Sequence, residues 1–207
     1  MHRQVYFITH PNVVISRDVP VPRWPLSELG RRRMHEGLSQ PWIPDLSAVY
    51  CSDEQKAVDG AQILAVHLSL PITTIAELGE NDRSATGFLP PDEFERVATE
   101  FFTHSTTSVR GWERAVDAQA RVVAAVEQAI RDDQTSGAIA FVSHGAVGTL
   151  LYCHLAGHPI DRRWDQPPNG GGNYLQFNTG AARDCTWWRP FDGLPPHDGG
   201  PPHGGGP

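Results

Sequence analysis

Tyr6-Phe7-Ile8-Thr9-His10-Pro11 is an apolar run that stops on a histidine, with a proline directly after it. Val5 to Ile8 has no polar interruption, which is the pattern of a short strand buried on both faces. Pro11 withholds a backbone N–H and fixes its own φ, so the strand ends there. Far along the chain, Ala140-Phe141-Val142-Ser143-His144-Gly145 repeats the form. Two apolar strands, each delivering one imidazole at its C-terminal end, predict two histidines facing one pocket. The chain has 10 histidines, so one strand-end histidine carries little weight; the pair and what lies between must carry the argument.

Working outward, Gln4–Thr9 reads as the first strand. Pro11 to Pro25 is a loop broken by Pro20 and Pro22, with Asn12 and Arg17 as polar groups that can fold back over the strand end. Leu26-Ser27-Glu28-Leu29-Gly30 opens a helix to about Leu38, capped by Ser27, and Arg31-Arg32-Arg33 reads as its solvated face. Ala48–Cys51 is a second strand. Ser52 or Asp53 caps the helix that follows, in which Ala57, Ala61, Leu64 and Leu68 recur at helical spacing. Lys56, the only lysine among 17 basic residues, falls in its first turn. Pro71–Leu78 reads as a third strand, running into the polar cluster Glu80-Asn81-Asp82-Arg83.

Pro90–Phe102 and Gly111–Arg131 read as helices, Ala138–Ser143 as the fourth strand and Gly145–Leu155 as the helix after it. Asn173–Asn178 and Cys185–Arg189 read as an antiparallel pair. From Pro190 on, proline, glycine, histidine and aspartate dominate. The expected organisation is one domain over 1–189 and a disordered tail over 190–207, in which His197 and His203 are read as inert rather than metal-binding.

A chain of 207 residues, 39% hydrophobic, builds one sizeable core more readily than two. A net charge of -7 argues against a nucleic-acid partner, and no apolar run is long enough to cross a bilayer. The N-terminus enters a strand without a signal-peptide layout. Cys51, Cys153 and Cys185 show no Cys-x-x-Cys spacing, and the core histidines show no close ligand spacing. A reduced, cytoplasmic protein with no metal, no cofactor and a small-molecule substrate is expected.

Strands alternating with helices predict an α/β fold: a mostly parallel central sheet between two helical layers, three layers α/β/α in all. Ligands of such sheets lie beyond the carboxyl ends of the strands, which gathers His10, the Ser52–Lys56 turn, Glu80 and His144 at one rim. Unprotonated imidazole is a nucleophile near neutral pH. Attack on a phosphoryl group makes a phosphohistidine, with cations and N–H donors needed for the oxygens and a carboxylic acid for the leaving oxygen. Lys56 supplies a cation, the helix after His144 offers its N-terminus to an anion, and Glu80 or Asp82 supplies the acid.

In these residues the chain resembles the histidine phosphatase superfamily, with its phosphoglycerate mutase-like fold, from about Val5 to Asn178. Thr9-His10-Pro11 stands where that family has Arg-His-Gly, which implies His10 as the phosphorylated nucleophile. Leu26-Ser27-Glu28-Leu29-Gly30 is similar to its Leu-Thr-x-x-Gly. Ser52-Asp53-Glu54-Gln55-Lys56-Ala57 is similar to Ser-x-x-x-Arg-Ala, which implies Lys56 as a phosphate cation. Leu78-Gly79-Glu80 matches Leu-x-Glu, implying Glu80 as proton donor, and Ser143-His144-Gly145 matches Ser-His-Gly, implying His144 as the second catalytic histidine. Thr9, Ser143 and Gly145 complete the implied phosphate site. Two arginines of the pattern are replaced, by Thr9 and Lys56, and Pro11 removes an N–H; Arg17 and Arg83 are the candidates to restore the missing grip.

The implied activity is phosphomonoester hydrolysis through phospho-His10. The alternatives are a phosphatase-fold module that binds phosphorylated ligands with weakened turnover, and a phosphomutase, for which the short chain shows no large enclosing insertion. Leaving-group specificity falls to the Pro11–Pro25 loop and to residues 81–102, with Trp24, Phe88 and Trp164 as candidate pocket aromatics.

Overall fold

The apolar strands do become the centre of the molecule. The computed structural model describes residues 2–180 and 184–193. In it β1 (Gln4–Thr9), β2 (Leu46–Cys51), β3 (Ile72–Thr74) and β4 (Ala138–Ser143) are parallel, β5 (Asn173–Asn178) runs antiparallel to β1, and β6 (Arg189–Pro190) runs antiparallel to β5. The sheet order is β3-β2-β4-β1-β5-β6, so β1 and β4 lie side by side near its middle.

Because successive side chains of a strand point to opposite faces, β1 divides its apolar run between two cores. Val5 and Phe7 pack with Ile139 and Phe141 beneath α3 (Pro91–Thr103), α4 (Ala115–Asp132) and α5 (Gly145–Ala156). Tyr6 and Ile8 pack with Ala140 and Val142 beneath α1 (Glu28–Gly37) and α2 (Gln55–Leu68). Both faces are therefore covered, giving the expected three layers. Among the described residues no helix is long and apolar enough to cross a membrane.

Ser27 caps α1, accepting Gly30 N–H at 3.1 Å. Arg33 is no part of a solvated face: it is buried, donating to Asn12, Asn169 and Gly171 and pairing with Asp192 at 2.5 Å. The third strand is only Ile72–Thr74, after which the chain tightens into a turn over Ala76–Leu78. Trp112 belongs to the core but not to α4, because Arg110 and Gly111 adopt left-handed backbone just before it. The last pairing is shorter than expected: of Cys185–Arg189 only Arg189 is in a strand, although Thr186 N–H still reaches Gln176 O at 2.8 Å. Pro190 lies in β6, Phe191 is buried against Trp42, and Asp192 holds Arg33, so the ordered fold runs past 189. Residues 194–207, with His197 and His203, lie outside the described residues.

Candidate active site

The parallel register sets the site. Thr9 pairs with Ser143 and Cys51 with Val142, so β1, β2 and β4 end level. One further ladder bond follows on each side, His10 N–H to Ser143 O at 3.0 Å and Ser52 N–H to Val142 O at 3.1 Å. His10, Ser52 and His144 therefore leave the sheet together. The two imidazoles meet edge to face, with ring centroids 5.1 Å apart and planes inclined by 69°.

His10 Nδ1 lies 2.9 Å from Pro11 O. A carbonyl only accepts, so the proton sits on Nδ1 and Nε2 keeps its lone pair. Burial lowers the His10 pKa to about 4, Lys56 and Arg83 adding to the effect while the Pro11 carbonyl and Glu54 oppose it. The ring is thus a neutral base across the neutral range. His144 is fully buried behind it, and burial likewise holds its pKa well below the ordinary value. Its Nε2 lies 2.7 Å from Ser52 Oγ and 3.5 Å from Glu54 Oε1; its Nδ1 has no partner.

The two acids here behave differently. Burial alone would raise the Glu54 carboxyl, but His144, the Lys56 ammonium and the Glu80 N–H reverse this and bring it down to about 2. Glu54 stays an anion, paired with Lys56 and accepting Glu80 N–H at 2.8 Å. Glu80 is raised instead: burial dominates, with Glu54 in the same sense and Arg83 against. Its carboxyl accepts the N–H groups of Ala146 and Val147 at 3.3 and 3.2 Å. Two carboxyls with pKa values driven apart are the arrangement in which one can hold a fixed charge and the other can carry a proton. Arg121 of α4 donates to the carbonyls of Glu77, Gly79 and Glu80, fixing the segment that presents Glu80.

The sequence-selected residues separate on inspection. His10, Glu80, Arg83 and Gly145 line one cavity of about 260 Å³. Thr9 does not: its hydroxyl donates to Gln166 Oε1 at 2.7 Å and accepts Asn173 N–H at 3.0 Å, entirely inside the protein. Ser143 Oγ, equally buried, donates to Leu78 O at 2.7 Å. Lys56 is near the histidines but committed to Glu54 and to Val21 O at 3.0 Å. Arg17 lies over the Phe88 ring at 5.4 Å and is not among the residues lining the His10 cavity. The helix N-terminus expected to receive an anion already receives the Glu80 carboxyl. Trp164 stacks on His158, outside the cavity.

Four contributors escaped the sequence reading. Glu54 lies inside a motif scanned for its cation, and its charge becomes meaningful only once Lys56 is seen to fold onto it. Asn81 lines the cavity, nearly fully buried, with Nδ2 unpartnered. Gln166 joins Thr9 to Asn173 from a loop without any motif. Gly170-Gly171-Gly172 was the missed signal: all three have φ between 71° and 82°. A Cβ on Gly171 would strike the His10 carbonyl, and one on Gly172 would lie 3.0 Å from Pro11 Cβ. Three adjacent glycines before a strand mark such a close backbone approach.

A family model described as "Histidine phosphatase superfamily (branch 1)" matches residues 14–187, a span that begins just past His10. Among solved structures, the chain resembles a mycobacterial glucosyl-3-phosphoglycerate phosphatase in complex with inorganic phosphate, at 19% identity and TM-score 0.72, covering 92% of this chain and 99% of that one. Bacillus stearothermophilus YhfR is 24% identical, with TM-score 0.70 and coverage of 87% and 93%. A putative alpha-ribazole-5'-P phosphatase from Escherichia coli is 20% identical, with TM-score 0.66 and coverage of 90% and 94%. At these identities the likeness is one of fold. No curated protein sequence matches.

Proposed function

The chain belongs to branch 1 of the histidine phosphatase superfamily, and from that premise we propose that it hydrolyses a small phosphomonoester through a phosphohistidine on His10. The observation that carries this reading is the His10 ring: neutral, with its proton held on Nδ1 by Pro11 O and its Nε2 free at the wall of a cavity.

Attack of Nε2 on phosphorus makes the P–N bond as the P–O bond to the alcohol breaks. The imidazole gains positive charge in that step, and the Pro11 carbonyl at Nδ1 stabilises it. Glu80, its pKa raised, gives its proton to the departing oxygen; it then takes a proton from the water that attacks phosphorus, and as the new P–O bond forms the P–N bond breaks, releasing phosphate and returning His10. Arg83 is the cation for the phosphoryl oxygens, and Asn81 Nδ2 is an uncommitted donor beside it. His144, wholly buried and outside the cavity lining, backs the His10 ring, with its Nε2 2.7 Å from Ser52 Oγ.

The test compares wild type with His10→Ala on 4-nitrophenyl phosphate. A loss of ~10³-fold or more is expected for removal of a nucleophile. Equal rates would refute the reading. A second reading, a phosphoester-binding module with slow turnover, draws support from Lys56 and Thr9, both engaged inside the protein where the family pattern places arginines. An acid-labile, base-stable phosphoryl adduct trapped on His10 decides for catalysis.

A further inference from the structure

Beside the histidine cavity lies a second, of about 280 Å³, and the two share Arg83, Phe94 and Glu95. Its wall is otherwise nearly all apolar: Ile15, Trp24, Phe88 and Leu89 are among the lining residues. It sits where an alcohol would lie if its phosphate were at His10.

The loop that forms one side is built in advance. Trp24 Nε1–H donates to Ser16 O and Val19 O, both at 2.9 Å, and Val14 N–H reaches Pro25 O at 2.9 Å. Trp24 itself is buried and meets Phe88 at a centroid distance of 6.0 Å. Yet this same loop leaves Val14 48%, Ile15 62% and Val19 37% exposed, three of the five exposed large hydrophobic residues among those described. Of the three, Ile15 lines the cavity, and an apolar group held in water on a pinned loop beside a cavity has the character of a ligand surface.

Charge points the same way. Arg83 lies 4.9 Å over the Phe94 ring, at the junction where a phosphate would need it. Glu95 is paired with Arg162. Among the described residues lining the cavity no further charge remains, and the Arg17 guanidinium, which is not among them, rests on the Phe88 ring.

We propose that this second cavity holds the leaving group of the substrate, and that the substrate class is a phosphomonoester of an uncharged, apolar alcohol, aryl or alkyl. The assignment rests on the phosphatase reading for its phosphate end. Binding of two unreactive phosphonates separates the claims. Titration calorimetry is expected to show 1-naphthylmethylphosphonate binding the wild-type chain roughly tenfold or more tighter than methylphosphonate. That preference is expected to shrink in Ile15→Asp, where the exposed position tolerates the change, and in Phe88→Ser. Equal affinities in wild type, or a preference untouched by both substitutions, would overturn the assignment. Hydrolysis of 1-naphthyl phosphate is measured in parallel: no turnover with the phosphonate preference intact would sink the phosphatase reading and not this one.

Discussion

The two walls of the candidate site are built on opposite rules. On the inner wall, formed by the level ends of β1, β2 and β4, Thr9, Ser52, Glu54, Lys56 and Ser143 are buried and each is engaged by another part of the chain. On the outer wall, formed by the loop after Pro11 and the residues around Phe88, apolar side chains stand in solvent and the arginines rest on aromatic rings. The inner wall makes a fixed electrostatic setting in which few atoms remain free to touch a ligand. Under the proposed function, discrimination between substrates falls to the outer wall.

Substitutions on the inner wall test whether its groups carry chemistry or only hold the setting. The largest effect is expected for Glu80→Gln, which keeps shape but cannot pass a proton: kcat on an aryl phosphate should fall ~10²–10⁴-fold. A near-normal rate would move the acid elsewhere. Next is Glu54→Gln. It strands the Lys56 ammonium, only 2% exposed, without its counter-charge, at a cost of about 3–5 kcal/mol in urea unfolding. The pair Glu54→Gln with Lys56→Met should recover much of that loss; no recovery would mean the two charges are not coupled.

Acid should unfold the protein in a window that the histidines set. His10 falls from an ordinary 6.5 to about 4 in the fold, and His144 falls as well. The unfolded chain takes up these protons first, so stability is full above pH 6.5 and declines as pH drops toward 4. Glu54, held at about 2, extends the loss below its ordinary 4.5. Glu80, raised, acts in the opposite sense and blunts the decline just above 4.5. A pH series of urea midpoints flat from 7 to 4 would contradict neutral, buried imidazoles. The smallest effect is reserved for Ser143→Ala: about 1 kcal/mol of stability for the bond to Leu78 O, with kcat/KM near wild type. A steep rise in KM would instead return Ser143 to the phosphate and erase the contrast between the walls.

Much of the fold was legible because strand ends and helix starts carry short-range signals. Ala138–Ser143 and Asn173–Asn178 were bounded to the residue, and Ser27 caps its helix as read. Strand-end position likewise placed His10 at the cavity, whereas Glu80 reaches it from beyond the turn over Ala76–Leu78 and not from a strand end. What could not be read was pairing at a distance. Lys56 looked like a ligand until Val21 O met its ammonium, Arg33 looked exposed until Asp192 reached it across the fold, and Thr9 looked like a weak replacement for arginine until Gln166 claimed its hydroxyl. Each depends on a partner whose approach is decided by the tertiary fold. Pro190 to Asp192 was misjudged for a related reason: a polar, proline-rich composition says little when one Phe191 has a slot waiting beside Trp42.

The position of β1 in the sheet also bears on how the molecule is made. Its only strand neighbours are β4 and β5, so no residue before Ala138 pairs with it along the ladder. The segment carrying the candidate nucleophile comes early in the chain and is partnered late. Such long-range pairing slows folding, and until β4 arrives Val5–Ile8 remains an unpaired apolar edge of the kind that templates aggregation. Fragments ending before Ala138 should therefore be sticky, and the chemistry proposed for His10 would become available only when the last strands have closed around it.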